Sequence, residues 1–287
     1  MTQTNNPYRS HPASLHFEAN DLRLHYLDWG ENATQQLVLL HGLGSQAHTW
    51  DKFANEVYGS FRVVVPDLRG HGDSDHAQDG YHLSKFVEDI RALVRHLNMD
   101  KFDLIGHSLG AMIAIEFASQ NPQMVNRLVL EEGGPGLNAD IARNATFESY
   151  VRPLGFDTDE EAKSWLRDRH PNDDDRQIEQ RLEFTMKRNW ADKWVVRHDH
   201  ELIWIMAGSS SVVTTENDSL WEKMSSLPCR TLLVHGEASP LLSEETAQRL
   251  VNALPVGELV NIPGVGHSVH SEATSQFKEV VLNFLND

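Results

Sequence analysis

Eight short apolar runs, separated by stretches of helical period, leave this chain few folds to adopt. The runs are LHFEA, LRLHYLDWG, QLVLLHG, RVVVPDL, FDLIGHS and RLVLEEG, then, far downstream, RTLLVHG and ELVNIPG. The middle ones are almost continuously apolar, as expected of parallel strands covered on both faces. Helix-period segments lie between them, at 46–58, 83–97, 109–120, 243–254 and 272–285. In 83–97 the apolar stripe is Phe86, Ile90, Leu93, Val94 and Leu97. The expectation is an α/β fold: a doubly wound, mostly parallel eight-stranded sheet with helices on both faces.

The alternation stops between about Pro135 and Ser226. That stretch lacks strand runs and carries charged helical segments with Trp165, Trp190, Trp194, Trp204 and Trp221. It is expected to be a helical cap, residues 135–226, inserted after the sixth strand over the edge of the sheet where such folds bind ligands. Residues 1–134 and 227–287 then form the core. The tryptophans read chiefly as apolar glue between insertion and body. The acidic runs DTDEEA and NDDD read as solvated helix starts and turns.

Composition narrows the partners. Lys and Arg number 25 against 42 Asp and Glu, a net charge of −17. Such a surface repels phosphate backbones and anionic lipid, so neither nucleic acid nor membrane is expected as a partner, and a small-molecule substrate is. No run approaches the ~18 apolar residues of a membrane helix. The N-terminal MTQTNNPYRSHPASLHF has no apolar core of signal-peptide length. A single cysteine, Cys229, cannot form an internal disulfide. Together these features point to a cytoplasmic protein; oligomeric state is not encoded in them.

Gly106-His107-Ser108-Leu109-Gly110 is the sharpest chemical signal. A G-x-S-x-G that ends a strand run and opens a helix is the context of a nucleophile elbow. The tight turn lifts a serine hydroxyl clear of the backbone at a helix N-terminus, where the helix dipole favours developing negative charge. His41-Gly42-Leu43-Gly44 follows another strand run. Acyl transfer needs two donors for its oxyanion, and the backbone N–H groups of Leu43 and Leu109 are the candidates. Serine also needs an imidazole to take its proton. Of sixteen histidines, His267 stands out, in the loop Gly264-Val265-Gly266-His267-Ser268 between the last strand run and the last helix. His270 is its nearest competitor. No histidine pair has HExxH-like spacing, so no metal site is expected.

HGLG, Asp67-Leu68-Arg69-Gly70-His71-Gly72-Asp73-Ser74, GHSLG and the late GH together resemble the α/β-hydrolase superfamily, in its helical-cap members with a serine nucleophile. The resemblance covers nearly the whole chain outside 135–226. It implies a Ser–His–acid triad, a covalent acyl-enzyme and no cofactor, with DLRGHGDS serving structurally. Ser108 at the elbow sets the chain apart from dehalogenases and epoxide hydrolases, which carry aspartate there.

One position departs from that pattern. The usual G-x-x-D-P, which supplies the triad acid, reads Gly236-Glu237-Ala238-Ser239-Pro240. Some members of the superfamily carry the acid instead at the end of the preceding strand, which corresponds to Glu132 in RLVLEEGGP. Successive strand residues face opposite ways, so at most one of Glu131 and Glu132 can serve. Glu131 and Glu237 remain alternatives to Glu132, as does a dyad without an acid. The expected function is serine-dependent hydrolysis of a small ester, lactone or related acyl compound, with C–C and amide bonds open. The alternative is a ligand receptor or signalling protein on the same scaffold with weak hydrolysis.

Overall fold

The computed structural model describes residues 12–30, 33–138, 140–141, 153–170, 173–202 and 218–287. Ten strands are present among them: β1 Ala13–Ala19, β2 Leu22–Asp28, β3 Gln35–Leu40, β4 Phe61–Pro66, β5 Phe102–His107, β6 Val125–Glu131, β7 Met186–Arg188, β8 Trp194–Val196, β9 Arg230–Gly236 and β10 Gly257–Ile262. Eight form one sheet in the order β1-β2-β4-β3-β5-β6-β9-β10. β1 and β2 pair antiparallel, as do β2 and β4, and every other pair is parallel. The eight apolar runs are these eight strands.

Alternate residues of the central strands feed two cores. Val38, Leu40, Val64, Leu128, Leu130 and Leu233 enter one face. There they meet helices α2 (Leu83–His96) and α3 (Leu109–Gln120), through Phe86, Ile90, Ile113 and Phe117. Leu37, Leu39, Val63, Val65, Val129 and Val234 enter the other. There they meet Trp50, helix α1 (Asp51–Val57) and a C-terminal helix at Thr274–Asn286, through Phe53, Phe277 and Val281. Burying each side chain of this size contributes about 1.5–3 kcal/mol, and both faces do so at once. The continuous apolar runs follow from that double burial.

Between β6 and β9 lie α4 (Asp159–Arg169), α5 (Asp175–Thr185) and α6 (Asp218–Ser225). Thr158 with Glu161 and Asp174 with Gln177 close a capping box at the start of α4 and α5, which explains the acidic runs as helix starts. The segment is not wholly helical: β7 and β8 pair antiparallel, extended by a bridge from Phe156 to Trp194. Strands of three residues are too short to leave a period-2 pattern. Trp165 and Trp194 pack with Phe156, Leu166 and Ile178 in a cluster of their own, Trp221 joins the main core, and Trp190 is 98% exposed. The glue reading thus holds for Trp221, while Trp165 and Trp194 hold the insertion together internally; Trp204 lies outside the described residues.

The loop Asp67–Ser74 locks this insertion onto the sheet. Asp67 accepts hydrogen bonds from Ala47 N–H (2.6 Å), Asp73 N–H (2.9 Å) and His25 Nδ1–H (2.7 Å). Burial pushes its carboxyl up, but these partners, His25 first, hold it below the ordinary range. Arg69 binds both oxygens of Asp89. Arg197 pairs with Asp73, Tyr81 O–H donates to Asp199 Oδ2 at 2.5 Å, and Asp199 N–H donates to Gly70 O at 2.7 Å. No described helix is long and apolar enough to cross a membrane.

Candidate active site

Ser108 sits between β5 and α3 with φ +54° and ψ −113°. Few non-glycine residues occupy positive φ, and holding one there costs on the order of 1–3 kcal/mol. The surroundings enforce it. Ser108 N–H donates to Glu131 O at 3.0 Å, tying the turn to the end of β6. A Cβ on Gly110 would stand 2.4 Å from Leu40 O, and one on Gly106 2.3 Å from Gly110 O. The two motif glycines are therefore dictated by backbone packed against backbone.

The His41–Gly44 loop lies against this turn. A Cβ on Gly42 would be 3.3 Å from Ser108 Cβ and 2.9 Å from His107 Nδ1. Two neutral histidines brace the loop. His41 Nδ1–H donates to Gly42 O at 2.8 Å while its Nε2 accepts from Leu68 N–H at 3.0 Å. His71 Nδ1–H donates to Arg69 O at 3.0 Å and its Nε2 accepts from Gly44 N–H at 3.0 Å. Burial, reinforced for His71 by His41 and His198, depresses both imidazoles below their ordinary pKa. Among the described residues, the N–H groups of Leu43 and Leu109 have no acceptor. They are available to an oxyanion.

His267 follows β10 in a loop whose backbone meets the end of β9: a Cβ on Gly236 would fall 2.1 Å from Gly266 O. Its Nδ1 lies 3.1 Å from Glu132 Oε2. The carboxylate oxygen is placed to accept from Nδ1–H, the tautomer that leaves Nε2 with a lone pair. The other Glu132 oxygen accepts Gly236 N–H at 2.7 Å. Glu132 is wholly buried and, like Ser108, holds a positive φ, of +51°. That twist takes its side chain out of the strand's alternation and toward the neighbouring β9.

The competing residues are placed elsewhere. Ser239 Oγ accepts the N–H groups of Leu241 and Leu242 at 3.2 and 3.4 Å, closing the turn that an aspartate usually occupies. Glu237 is exposed. Glu131 keeps the strand parity of Val129 and points into the second core, where both its oxygens reach His270 Nδ1 at 2.8 and 2.9 Å. His107 is the residue that motif reading passed over. Its Nε2–H donates to His267 O at 2.9 Å, and its ring packs 4.7 Å from the His267 ring. Its place inside GHSLG was the available signal.

One group of described residues, His25, Asp67 and Asp73, brings potential metal-ligand atoms within 4.8 Å of one another. Asp67 is already filled by three hydrogen bonds and Asp73 by Arg197, so the group acts as a brace of the loop.

Residues 36–274 match the family described as the alpha/beta hydrolase fold. A 3-hydroxybutyrate-oligomer hydrolase of Cupriavidus necator is 28% identical over 268 residues, spanning 90% of this chain and 89% of its own length. A solved E-2-(acetamidomethylene)succinate hydrolase superposes with a TM-score of 0.85 at 22% identity, covering 96% of this chain and 100% of that one. An esterase of Mycobacterium tuberculosis superposes at 0.77 with 23% identity, covering 96% and 92%. At such identities the two structures speak for the fold alone. The family match spans most of the chain and includes the elbow, the His41–Gly44 loop and His267: this chain belongs to the α/β hydrolase fold family.

Proposed function

We propose that this hydrolase cleaves a small ester, lactone or related acyl compound through Ser108, His267 and Glu132. The observation that carries the reading is the 3.1 Å approach of Glu132 Oε2 to His267 Nδ1, beside a serine held at positive φ. Ser108 Oγ attacks the substrate carbonyl carbon while His267 Nε2 takes the hydroxyl proton. The carbonyl oxygen becomes an oxyanion and is held by the N–H groups of Leu43 and Leu109. Each such donor is worth about 10²–10³ in turnover. Imidazolium then returns the proton to the leaving oxygen, the C–O bond breaks, and an acyl-enzyme remains. Water, deprotonated by His267, repeats the sequence on the acyl carbon and frees Ser108. Glu132 keeps the tautomer and balances the imidazolium throughout.

Residues 135–226 are read as the cap that closes over this site and selects the substrate. The Cupriavidus necator relative, named for hydrolysing 3-hydroxybutyrate oligomers, supports a carboxylic acid derivative as the substrate class. A receptor without turnover drew its support from Ser239. A carboxylate already lies against His267 Nδ1, so that support falls away.

The test is covalent labelling with a fluorophosphonate, which phosphonylates activated serine hydroxyls. Labelling that maps to Ser108 and disappears in Ser108→Ala is expected. No labelling, or labelling that persists in the variant, would overturn the reading.

A further inference from the structure

The two glutamates that end β6 each hold a histidine, and the histidines are three residues apart. Only the Glu132–His267 pair enters the chemistry proposed above. Glu131 faces the second core, fully buried. There its Oε1 accepts the backbone N–H of His270 at 2.8 Å as well as the ring Nδ1–H. His270 Nε2 lies 3.2 Å from Thr49 Oγ1, and the ring stacks on Trp50 with centroids 4.1 Å apart. A buried carboxylate, an imidazole and a hydroxyl thus form a chain of hydrogen bonds near the first pair.

His107 is wedged between the pairs, its ring 4.7 Å from that of His267 and 5.1 Å from that of His270. Its Nε2–H holds the His267 carbonyl. The loop bearing His267 is tied to β9 at Val265 O, which accepts Ala238 N–H at 2.9 Å, and has few fastenings beyond that point. It contains Gly264 and Gly266, its N–H groups at Gly266 and Ser268 are capped only by Glu272, and the helix that follows is four residues, Val269–Glu272. Such a segment takes its geometry from what it is fastened to. His267 is fastened at its ring by Glu132 and at its carbonyl by His107. Three residues on, Glu131 grips His270 at both backbone and ring.

We infer that Glu131 and His270 are positioning residues for His267: they pin the start of the helix at Val269–Glu272 to β6, so that consecutive residues at one strand end hold the ring of the general base and the backbone three residues beyond it. This rests on the serine-hydrolase reading. It also gives the E-E and H-x-x-H spacings a joint meaning, because each glutamate serves one histidine on its own side of the strand.

Glu131→Gln keeps the shape and removes the charge that grips His270. Fluorophosphonate inactivation of the full chain, resolved into KI and kinact, separates positioning from mere stability. So does the downfield proton resonance of an imidazole N–H bound to a carboxylate. The expected result is KI within about twofold and kinact lower by about tenfold, because a small misplacement of a reacting group is costly. The His270 resonance should vanish and the His267 resonance should shift. An unchanged kinact and an unmoved His267 resonance, whatever the melting temperature, would overturn the role. Should Glu131→Gln fail to fold, Thr49→Val removes only the hydroxyl on His270 Nε2. A fall in kinact of about threefold, one hydrogen bond's worth, supports the role, and no fall overturns it. A wild-type chain that is not labelled at Ser108 overturns the hydrolase reading and the positioning role together. A labelled wild type whose variants label equally fast overturns the positioning role alone.

Discussion

Glu132 Oε2 and His267 Nδ1 lie 3.1 Å apart across 135 residues of sequence, with the glutamate wholly buried and its second oxygen satisfied by Gly236 N–H. Two strand ends and one loop converge to make that contact. Ser108 at positive φ and, among the described residues, the unengaged N–H groups of Leu43 and Leu109 are the other parts that the proposed acyl transfer requires.

The elbow glycines should tolerate no side chain. Gly110→Ala places a Cβ 2.4 Å from Leu40 O, and that partner is backbone of a central strand. The variant should be destabilised by about 3 kcal/mol or more, in the range of severe overpacking. Urea unfolding would show it as a lower midpoint at unchanged slope, with activity lost in proportion to folded protein.

Asp103 predicts a pH effect on stability. It is buried in β5, its Oδ1 has no partner among the described residues, and burial, only partly offset by Arg127, raises its pKa to about 6. The folded chain therefore binds this proton more tightly than the unfolded chain, whose aspartate titrates near 3.8. The penalty is absent below the unfolded value, grows as pH rises between the two, and is complete above about 6. Asp103→Asn should raise stability at pH 8 by about 1–3 kcal/mol and change it little at pH 4. Calorimetric melting at the two pH values checks this.

The seat of the insertion should affect binding more than chemistry. Tyr81→Phe removes the hydroxyl that donates to Asp199 and accepts from Ala77 N–H, without touching Ser108 or His267. KM should rise severalfold, in line with the loss of these two part-buried hydrogen bonds, each contributing about 0.5–1.5 kcal/mol net. Turnover should stay within about threefold. Steady-state kinetics on a reporter ester separates the two.

The sheet was legible because its strands are buried on both faces, which leaves continuous apolar runs with few alternative readings. Ser108 was legible because backbone crowding at the elbow forces Gly106 and Gly110, and His267 because its loop carries Gly264, which holds a φ of +70°, and Gly266, at fixed offsets visible in a sequence. The hairpin Met186–Val196 was not, since three-residue strands carry no period. The division of labour between Glu131 and Glu132 was half legible. Alternation says that they part, but which one turns toward His267 depends on the φ of +51° at Glu132 and on Gly236 across the sheet. The pairing of Glu131 with His270 depends on the packing of a short helix against Trp50, a contact no local pattern encodes.

The decisive comparison is the turnover of Glu132→Gln beside that of Ser239→Ala. Glutamine keeps the size of the side chain but cannot balance an imidazolium, and loss of an orienting carboxylate costs as much as ~10⁴ elsewhere. Measured on one ester at saturation, kcat should fall by at least about 10²-fold in Glu132→Gln and stay within about twofold in Ser239→Ala. A neutral Glu132→Gln, together with strong activation by Ser239→Asp, would contradict the relocation of the acid to Glu132.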